Sequence, residues 1–217
     1  MTNQIKIPDT MVQQTIEALR NNGFEVWLVP TQQAAEQLFW NQIFQELKPH
    51  KVSWGDSLTL HSLDILSKLR QSPEVELIQT FGAHLSHREQ INNRKKALSA
   101  DLFLSGSNAI TMNGQIVNLD MIGNRIAGIA FGPRKVVIFS GVNKIVKNMD
   151  AAFARIRSIA APLNAKRHAD IKTPCQRTGI CSDCNSPHRI CNSWLITEKS
   201  YPVHRTKIIL INNALGL

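Results

Sequence analysis

Residues 23–44 read GFEVWLVPTQQAAEQLFWNQIF and place a short apolar strand directly before an amphipathic helix. The first part is rich in β-prone residues and ends at Pro30. Thr31 is a good helix N-cap, and the apolar residues after it recur at helical spacing. An amphipathic pattern upstream closes at Asn22-Gly23, which is a helix stop signal. The chain therefore opens with a helix, a strand and a second helix.

The same alternation continues along the chain. The patterns predict further strands at residues 51–54, 75–79, 101–104, 115–119 and 135–139, and helices at 57–70, 84–98 and 149–163. Strands separated by helices of this length favour a parallel sheet covered on both faces, with ligand-binding loops at the carboxyl ends of its strands. We therefore expect the α/β class, with an open, mainly parallel sheet and helices on both faces.

The composition changes beyond Pro162, where the chain becomes basic, polar and cysteine-rich. We therefore expect an α/β domain at residues 1–165 and a basic, cysteine-rich tail at residues 166–217 packed on it. The chain has no run of 18 apolar residues, and its first thirty residues lack the pattern of a secretory signal. We expect a cytoplasmic protein with no membrane span.

The net charge of +9 is unevenly distributed. Residues 1–120 carry 10 Lys and Arg against 12 Asp and Glu, whereas residues 121–217 carry 15 against 4. Such a field attracts an anionic small molecule, an acidic partner or nucleic acid. Few aromatic residues interrupt the basic half, unlike a base-stacking platform, which argues against nucleic-acid binding. The basic run Arg94-Lys95-Lys96 lies on a polar predicted helix, where a solvated face is the default interpretation and an anion cleft the alternative.

Small and amide residues cluster where the predicted strands end. Glycine permits close approach of the backbone, while Ser, Asn, Arg and Lys side chains donate to phosphate or carboxylate oxygens. The candidate ligand-binding residues are Gly55, Ser57, Ser105, Gly106, Asn108, Asn113, Gly114, Asn124, Arg125, Gly132 and Lys144. At Ser57 a helix cap is the favoured role, and at Asn113-Gly114 a hairpin turn. No Walker or dinucleotide-binding motif occurs, which argues against a stand-alone NTPase or Rossmann dehydrogenase.

No catalytic residue is predicted. Asp120 directly follows the predicted strand at 115–119, but an Asp at a strand end commonly accepts a turn hydrogen bond. The sequence also shows no Ser-His-Asp or Cys-His constellation.

Five motifs occur in a fixed order along the chain. They are WGDSLTL at 54–60, ADLFLSGSNAIT at 100–111, NGQIVNL at 113–119, GNRIA at 123–127 and FGPRKVVIFSGVNKIV at 131–146. Together they resemble the lactate-utilisation (LUD) domain family, and the similarity covers roughly residues 10–165. The resemblance implies the fold of the ribose-5-phosphate isomerase, glucosamine-6-phosphate deaminase and coenzyme A transferase superfamily, whose members bind phosphorylated or CoA-linked anions.

The resemblance also implies a bacterial cytoplasmic protein connected to the oxidation of lactate to pyruvate, working with iron–sulfur partner subunits. The expected ligand is a small anionic metabolite or a phosphorylated cofactor, and the expected role is that of a subunit or accessory of a lactate-oxidising system. The resemblance does not assign a mechanism to the domain.

All four cysteines of the chain, Cys175, Cys181, Cys184 and Cys191, fall within 17 residues as C-x5-C-x2-C-x6-C. Many members of the family lack such a segment, so the interpretation depends on spacing alone. The central C-x2-C brings two thiolates onto one turn, where they can bind a metal ion or one edge of an iron–sulfur cluster. Zinc usually takes two such pairs, which slightly favours iron–sulfur over zinc. We expect all four thiols to be ligands.

Two functions remain open at this stage. The first is a LUD domain that binds a small anion and supports electron transfer in 2-hydroxy-acid oxidation, with the cysteines holding a metal or cluster. The alternative is a non-catalytic ligand-sensing or assembly module with a structural zinc site.

Overall fold

The structure, a computed structural model, describes residues 7–82 and 85–217. In that part of the chain the strands are β1 (Glu25–Val29), β2 (Lys51–Trp54), β3 (Glu76–Ile78), β4 (Leu102–Gly106), β5 (Ala109–Thr111), β6 (Ile116–Asp120), β7 (Lys135–Gly141), β8 (Ile145–Val146), β9 (Ser193–Thr197) and β10 (Thr206–Ile211). The α-helices are α1 (Asp9–Asn21), α2 (Gln32–Leu38), α3 (Gln45–Leu47), α4 (Leu58–His61), α5 (Ile65–Gln71), α6 (His87–Lys96), α7 (Asn124–Ala130), α8 (Met149–Arg155), α9 (Ala161–Lys166) and α10 (Pro174–Thr178).

Six parallel strands form the main sheet, in the order β1-β10-β7-β4-β2-β3. Successive side chains of its central strands enter two different cores because a strand alternates its faces. In β7, Val137 packs in a cluster with residues of α2, α4 and α5, while Val136 packs in a cluster with residues of α1 and α7. The predicted α/β architecture, a mainly parallel sheet with helices on both faces, is confirmed.

A second sheet has the order β8-β5-β6-β9 and packs beside the α1 face of the main sheet. Its β5–β6 hairpin turns at Asn113-Gly114, as the sequence predicts. Gly114 has a φ of +77°, and a Cβ there would lie 2.6 Å from the carbonyl carbon of Ala18 in α1. Asn22 at the end of α1 donates its side-chain amide to the carbonyl oxygens of Asn113 and Gly114. The turn therefore ties the second sheet to the first helix.

The carboxyl-terminal segment differs from the tail that composition suggests. Strand β10 lies between β1 and β7 in the main sheet, with every residue buried, and β9 pairs with β6 in the second sheet. A boundary near residue 165 would therefore remove a central strand. The reason for the difference is that only four consecutive apolar residues, 208–211, mark β10, and the basic, cysteine-rich stretch before it dominates the average composition.

Three predicted helices differ in detail. The helix expected at 57–70 is divided into α4 and α5 by a turn between them, where the Ser62 hydroxyl donates to the Thr59 carbonyl oxygen. The helix expected from His84 begins at His87, and His84 itself lies outside the described residues. The helix expected at 149–163 continues to Lys166 through a π-helical segment, Ile156–Ala160. Within residues 7–82 and 85–217, no helix is both long and apolar enough to span a bilayer.

Candidate functional site

The carboxyl ends of three parallel strands border a cavity of about 450 Å³, which we call the strand-end cavity. Asp56 and Ser57 follow β2, Ser107 and Asn108 follow β4, and Lys144 follows β7, and all five line the cavity. Open parallel sheets bind ligands at this edge. The volume lies within the range of about 300–1,000 Å³ that is usual for small-molecule sites.

Arg125, in the first turn of α7, contributes a positive charge to the cavity wall. Its Nη2 donates to Asn108 Oδ1 at 2.9 Å and to the Leu119 carbonyl oxygen at 2.7 Å, and its Nη1 donates to Asn118 Oδ1 at 3.3 Å. All three acceptors are neutral. Desolvation lowers the pKa of the guanidinium, and the charges of Asp120 and Asp56 oppose that effect. Arg125 is thus fixed in place by groups that leave its charge unneutralised at contact distance.

Two glycines predicted as ligand contacts lie directly behind this wall. A Cβ at Gly55 would lie 2.4 Å from Cγ of Arg125, and a Cβ at Gly106 would lie 2.2 Å from the Ser57 hydroxyl oxygen. Both positions therefore need glycine because a neighbouring side chain occupies the space that a Cβ would take. Their role is to let Arg125 and Ser57 approach the strand ends.

Lys144 is the most strongly perturbed cation of the cavity. The residue is only 3% exposed, and its Nζ donates to Thr59 Oγ1 at 2.9 Å. No carboxylate of the described residues lies within ion-pair distance of it. Burial, and then the positive charges of Arg155 and Arg125, lower the pKa of the Lys144 ammonium to about 7. The folded chain therefore holds this amine in an environment that disfavours its charge.

Arg155 supports the wall from α8. Its Nη1 donates to the Asn108 carbonyl oxygen at 2.7 Å, and its Nε donates to the Asn143 carbonyl oxygen at 3.4 Å. Burial lowers the pKa of this guanidinium as well. Arg125 and Arg155 thus each lie close enough to Lys144 to repel its ammonium, and backbone or amide oxygens hold both arginines.

Two acidic side chains of the cavity lining, those of Asp56 and Asp120, already have partners. Asp56 Oδ1 is 2.9 Å from His61 Nε2, and its Oδ2 is 3.5 Å from Arg167 Nη1. Burial alone would raise the pKa of Asp56, but the hydrogen bond from His61 and the charges of Arg167, His61 and Arg125 hold it below its ordinary value. Asp120 accepts the backbone N–H groups of residues 121, 125 and 126, which is the turn role predicted for it.

Arg94 closes another side of the cavity from helix α6. Its guanidinium lies 5.0 Å from the centre of the Phe81 ring, and its Nη2 donates to Gln90 Oε1 at 3.3 Å. Its buried Nε has no hydrogen-bond partner among the described residues. A buried donor without a partner is uncommon in a folded protein, so this group is available to an acceptor that enters the cavity.

The structure brings part of the predicted ligand-binding set together. The members that line the strand-end cavity are Ser57, Asn108, Asn124, Arg125 and Lys144. Ser57 also caps α4, since its hydroxyl accepts the Leu60 N–H at 3.3 Å, as predicted. Their positions after the predicted strands were thus enough to identify these five residues of the cavity lining.

The other predicted members lie away from the lining. Ser105 is buried within β4, Asn113 and Gly114 form the hairpin turn beside α1, and Gly132 turns the chain against Leu98. Sequence reasoning missed Thr59, Arg155 and Arg167, whose roles come from contacts between distant elements. The sequence did suggest Arg94, because an anion cleft was the alternative interpretation of the basic run 94–96. Its neighbours Lys95 and Lys96 are exposed, as expected for a solvated face.

The four cysteines meet around a second cavity of about 10 Å³, which we call the thiol cavity. Its lining includes Cys175, Cys181, Cys184 and Cys191 together with Pro162 and Ile190. Burial raises the pKa of the Cys191 thiol; Arg189 opposes this, while the three other cysteines add to it. The sulfurs of the three other cysteines are therefore near enough to Cys191 to act on its thiol, and none of the four forms a disulfide in the structure.

Arg189 holds the cysteine segment in shape. It donates to the carbonyl oxygens of Cys184 at 2.6 Å and Cys191 at 3.0 Å, and to Asp183 Oδ1 at 2.8 Å. The hydrogen bond to Asp183 is the main reason that the pKa of the Arg189 guanidinium is raised. Asp183 also forms an ion pair with Arg157 at 3.4 Å. These contacts close the loop around the thiols.

The thiol cavity has suitable donor atoms for a metal site, but its present geometry is less suitable. Four sulfur donors suit zinc or iron. In the described part of the chain, however, no group of three or more His, Cys, Asp or Glu side chains is arranged as a ready metal-binding set. The cavity has room for about one water-sized occupant. A bound ion would therefore have to draw the thiols inward.

Comparison with known proteins identifies a matching family and a similar solved structure. The LUD domain model matches residues 12–211, which includes β10 and the cysteine segment. Among solved structures, the chain is similar to a DUF162 family protein from Deinococcus radiodurans, with a TM-score of 0.51 and 15% identity over 94% of this chain and 98% of that chain. At this identity the likeness shows a shared fold. No curated protein matches the chain.

Proposed function

Because the chain belongs to the LUD domain family, we propose that it binds a small anionic metabolite of lactate, or 2-hydroxy-acid, utilisation in the strand-end cavity. Membership of the family supports a role related to lactate utilisation. The expected ligand class is a small carboxylate or a phosphorylated cofactor, and the cavity is where the chain offers positive charge to it.

One observation carries this proposal. Lys144 is buried, lines the cavity and has no carboxylate partner among the described residues, although Arg125 and Arg155 add further positive charge nearby. Keeping the ammonium form of Lys144 out of water costs free energy, and a counter-charge beside it would lower that cost. A bound anion would supply it. The Nε of Arg94, which also lacks a partner, supports the same conclusion.

The volume of the strand-end cavity indicates the range of ligand sizes that it accommodates. A volume of about 450 Å³ is much larger than the roughly 30 Å³ that one water molecule occupies in the liquid, and it exceeds what a three-carbon acid fills. Apolar residues, including Ile91, Met121, Ile122 and Ile156, form part of the lining. The cavity therefore accommodates an acid with a longer apolar substituent, or a cofactor with a phosphate, as well as lactate itself.

Isothermal titration calorimetry tests the proposal. Lactate, pyruvate, longer 2-hydroxy acids and inorganic phosphate are titrated into the wild-type protein and into Lys144→Met. Loss of a charged hydrogen bond of about 1.5–3 kcal/mol should weaken binding about tenfold to a hundredfold. Lys147→Met is the matched control, since Lys147 is exposed, lies three residues away and is not in the lining. Equal affinities for wild type and Lys144→Met would contradict the proposal, and so would no binding of any of these anions.

Oxidation of a 2-hydroxy acid releases two electrons, which need an acceptor. In the proposal, separate iron–sulfur subunits accept these electrons, and this chain supplies the anion site. Mixing the chain with such subunits should raise the rate of electron transfer from a bound 2-hydroxy acid to an artificial acceptor. The Lys144→Met protein should lose that increase.

The second part of the proposal concerns the thiol cavity, where four cysteines would hold a metal. The cavity has room for about one water-sized occupant, which supports a single ion, such as zinc, over an iron–sulfur cluster. A zinc ion would be structural and would suit the alternative function, a ligand-sensing or assembly module. An iron–sulfur cluster would suit direct electron transfer.

Metal analysis and an anaerobic visible spectrum distinguish the two. A colourless protein with one zinc per chain would support a structural site, whereas a brown protein that absorbs near about 400 nm would support a cluster. Cys184→Ser should lower the metal content in either case, and Ser182→Ala is the neighbouring control. Equal metal content in wild type and Cys184→Ser would contradict metal binding at this cavity.

A further inference from the structure

Two buried lysines of this chain have opposite surroundings. Lys207 in β10 is 1% exposed, and its ammonium contacts the carboxylates of Glu25 and Glu46. Lys144 is 3% exposed, and its single hydrogen bond among the described residues goes to the neutral hydroxyl of Thr59. The first environment stabilises an ammonium, whereas the second favours a neutral amine.

The state of Lys144 follows from this difference. With a pKa of about 7, about half of its amines are neutral at pH 7, against roughly one in three thousand for a lysine at the ordinary value of 10.5. A lysine amine that burial and neighbouring cations hold neutral is a nucleophile toward carbonyl carbon. The cavity in front of it is open to a ligand of the size discussed above.

The surroundings also match a carbonyl compound that carries a carboxylate. Arg125 and Arg155 are near enough to Lys144 to lower its pKa, so they are also near enough to attract a carboxylate next to the reacting carbon. The Thr59 hydroxyl, at 2.9 Å from Nζ, fixes the direction of the amine. A 2-oxo acid has this pair of groups on adjacent carbons.

We propose that Lys144 forms an imine with the carbonyl carbon of a 2-oxo acid bound in the strand-end cavity. This inference rests on the proposed function, because it places the oxidised partner of a 2-hydroxy acid in the same cavity. It adds covalent chemistry and a nucleophile to a site that otherwise only binds an anion.

Formation of the imine releases one water molecule and consumes one proton from solvent. The neutral amine of Lys144 donates its lone pair to the carbonyl carbon, and the carbon–oxygen π bond breaks. The oxygen takes one proton from the nitrogen and one from solvent and leaves as water. Lysine and the oxo acid are then joined by a protonated carbon–nitrogen double bond, next to a carboxylate that Arg125 and Arg155 attract. No oxidant or reductant takes part.

Reductive trapping tests the inference. The wild-type protein is incubated with pyruvate, 2-oxobutyrate or a longer 2-oxo acid and with cyanoborohydride, which reduces an imine to a stable secondary amine. Intact mass and peptide mapping then locate the adduct. We expect one adduct per chain at Lys144, none at Lys207, and none at Lys144 when L-lactate, which has no carbonyl, replaces the oxo acid.

Two variants keep the result interpretable. Lys144→Arg retains a cation but cannot form an imine, so it should lose the adduct. Lys147→Met should react like the wild type. Circular dichroism of both variants establishes that they fold.

The possible failures are distinguishable. If the oxo acids bind calorimetrically but no adduct forms at Lys144, the imine is wrong and the anion site stands. If adducts spread over exposed lysines and spare Lys144, the imine is also wrong. If neither oxo acids nor hydroxy acids bind, the proposed function fails together with the inference.

Discussion

Replacement of Lys144 by Met should change the way in which stability depends on pH. In the folded protein the pKa of Lys144 is about 7, whereas an unfolded lysine has 10.5. Between these values the unfolded chain binds a proton that the folded chain lacks. The free energy of unfolding of the wild type therefore rises as the pH rises from about 7 to about 10.5, and the full penalty applies below pH 7.

The magnitude follows from the same pKa. At about 1.36 kcal/mol per pKa unit, the lowering from 10.5 to about 7 costs the folded state about 5 kcal/mol at low pH. The remaining cost is about 4 kcal/mol at pH 7 and about 2 kcal/mol at pH 9. Met at this position has no charge to desolvate, but it leaves Thr59 without its 2.9 Å hydrogen bond, which offsets about 1 kcal/mol. Lys144→Met should thus be more stable than the wild type at pH 7.

Urea unfolding of both proteins at pH 7 and pH 9 measures the effect. The stability advantage of Lys144→Met should shrink by about 2 kcal/mol between these pH values, because only the wild type loses a penalty. Arg125 and Arg155 are present in both proteins, so their effects cancel. The exposed Lys147→Met control should keep a constant difference from the wild type. Parallel pH profiles for Lys144→Met and wild type would refute the perturbed amine and, with it, the argument for the anion site.

Three further predictions concern the two cavities. Binding of lactate at pH 8 should take up as much as about one proton per chain, because an anion favours the charged form of Lys144. Calorimetry in buffers of different ionisation enthalpy measures this proton uptake. No uptake would contradict an anion beside the amine. Gly55→Ala should weaken lactate binding and lower the free energy of unfolding in urea by about 1–3 kcal/mol, since the new Cβ would lie 2.4 Å from Cγ of Arg125. Unchanged affinity and stability would show that this close approach is unimportant. Cys184→Ser should lower the melting temperature of the protein as purified but not of chelator-treated protein, and an equal loss in both would point to packing instead of metal binding.

The sequence predicted the parts of the fold that depend on local periodicity. The bounds of strands β1, β6 and β7 agree with the predicted strands within one or two residues. The predicted strand ends also identified Ser57, Asn108 and Lys144 of the cavity lining. Strand β10 was missed because its four consecutive apolar residues, 208–211, carry little periodic signal, although the strand lies centrally between β1 and β7.

The electrostatic character of the site could not be read from the sequence. Lys144 looks like an ordinary loop lysine in the chain, and only the tertiary structure shows that it has Thr59 as its neighbour, with no carboxylate in reach among the described residues. In the same way, Gly55 suggested a ligand contact, whereas its space is taken by Arg125 from α7, 70 positions further along the chain. Such roles arise from packing between distant elements.

A crystal structure of the protein with a bound 2-hydroxy acid tests the central claim most directly. We expect electron density for the acid in the strand-end cavity, with its carboxylate beside Lys144 and within the positive field of Arg125 and Arg155. Density for the acid at another surface, or a cavity that stays without it at saturating concentration, would contradict the account.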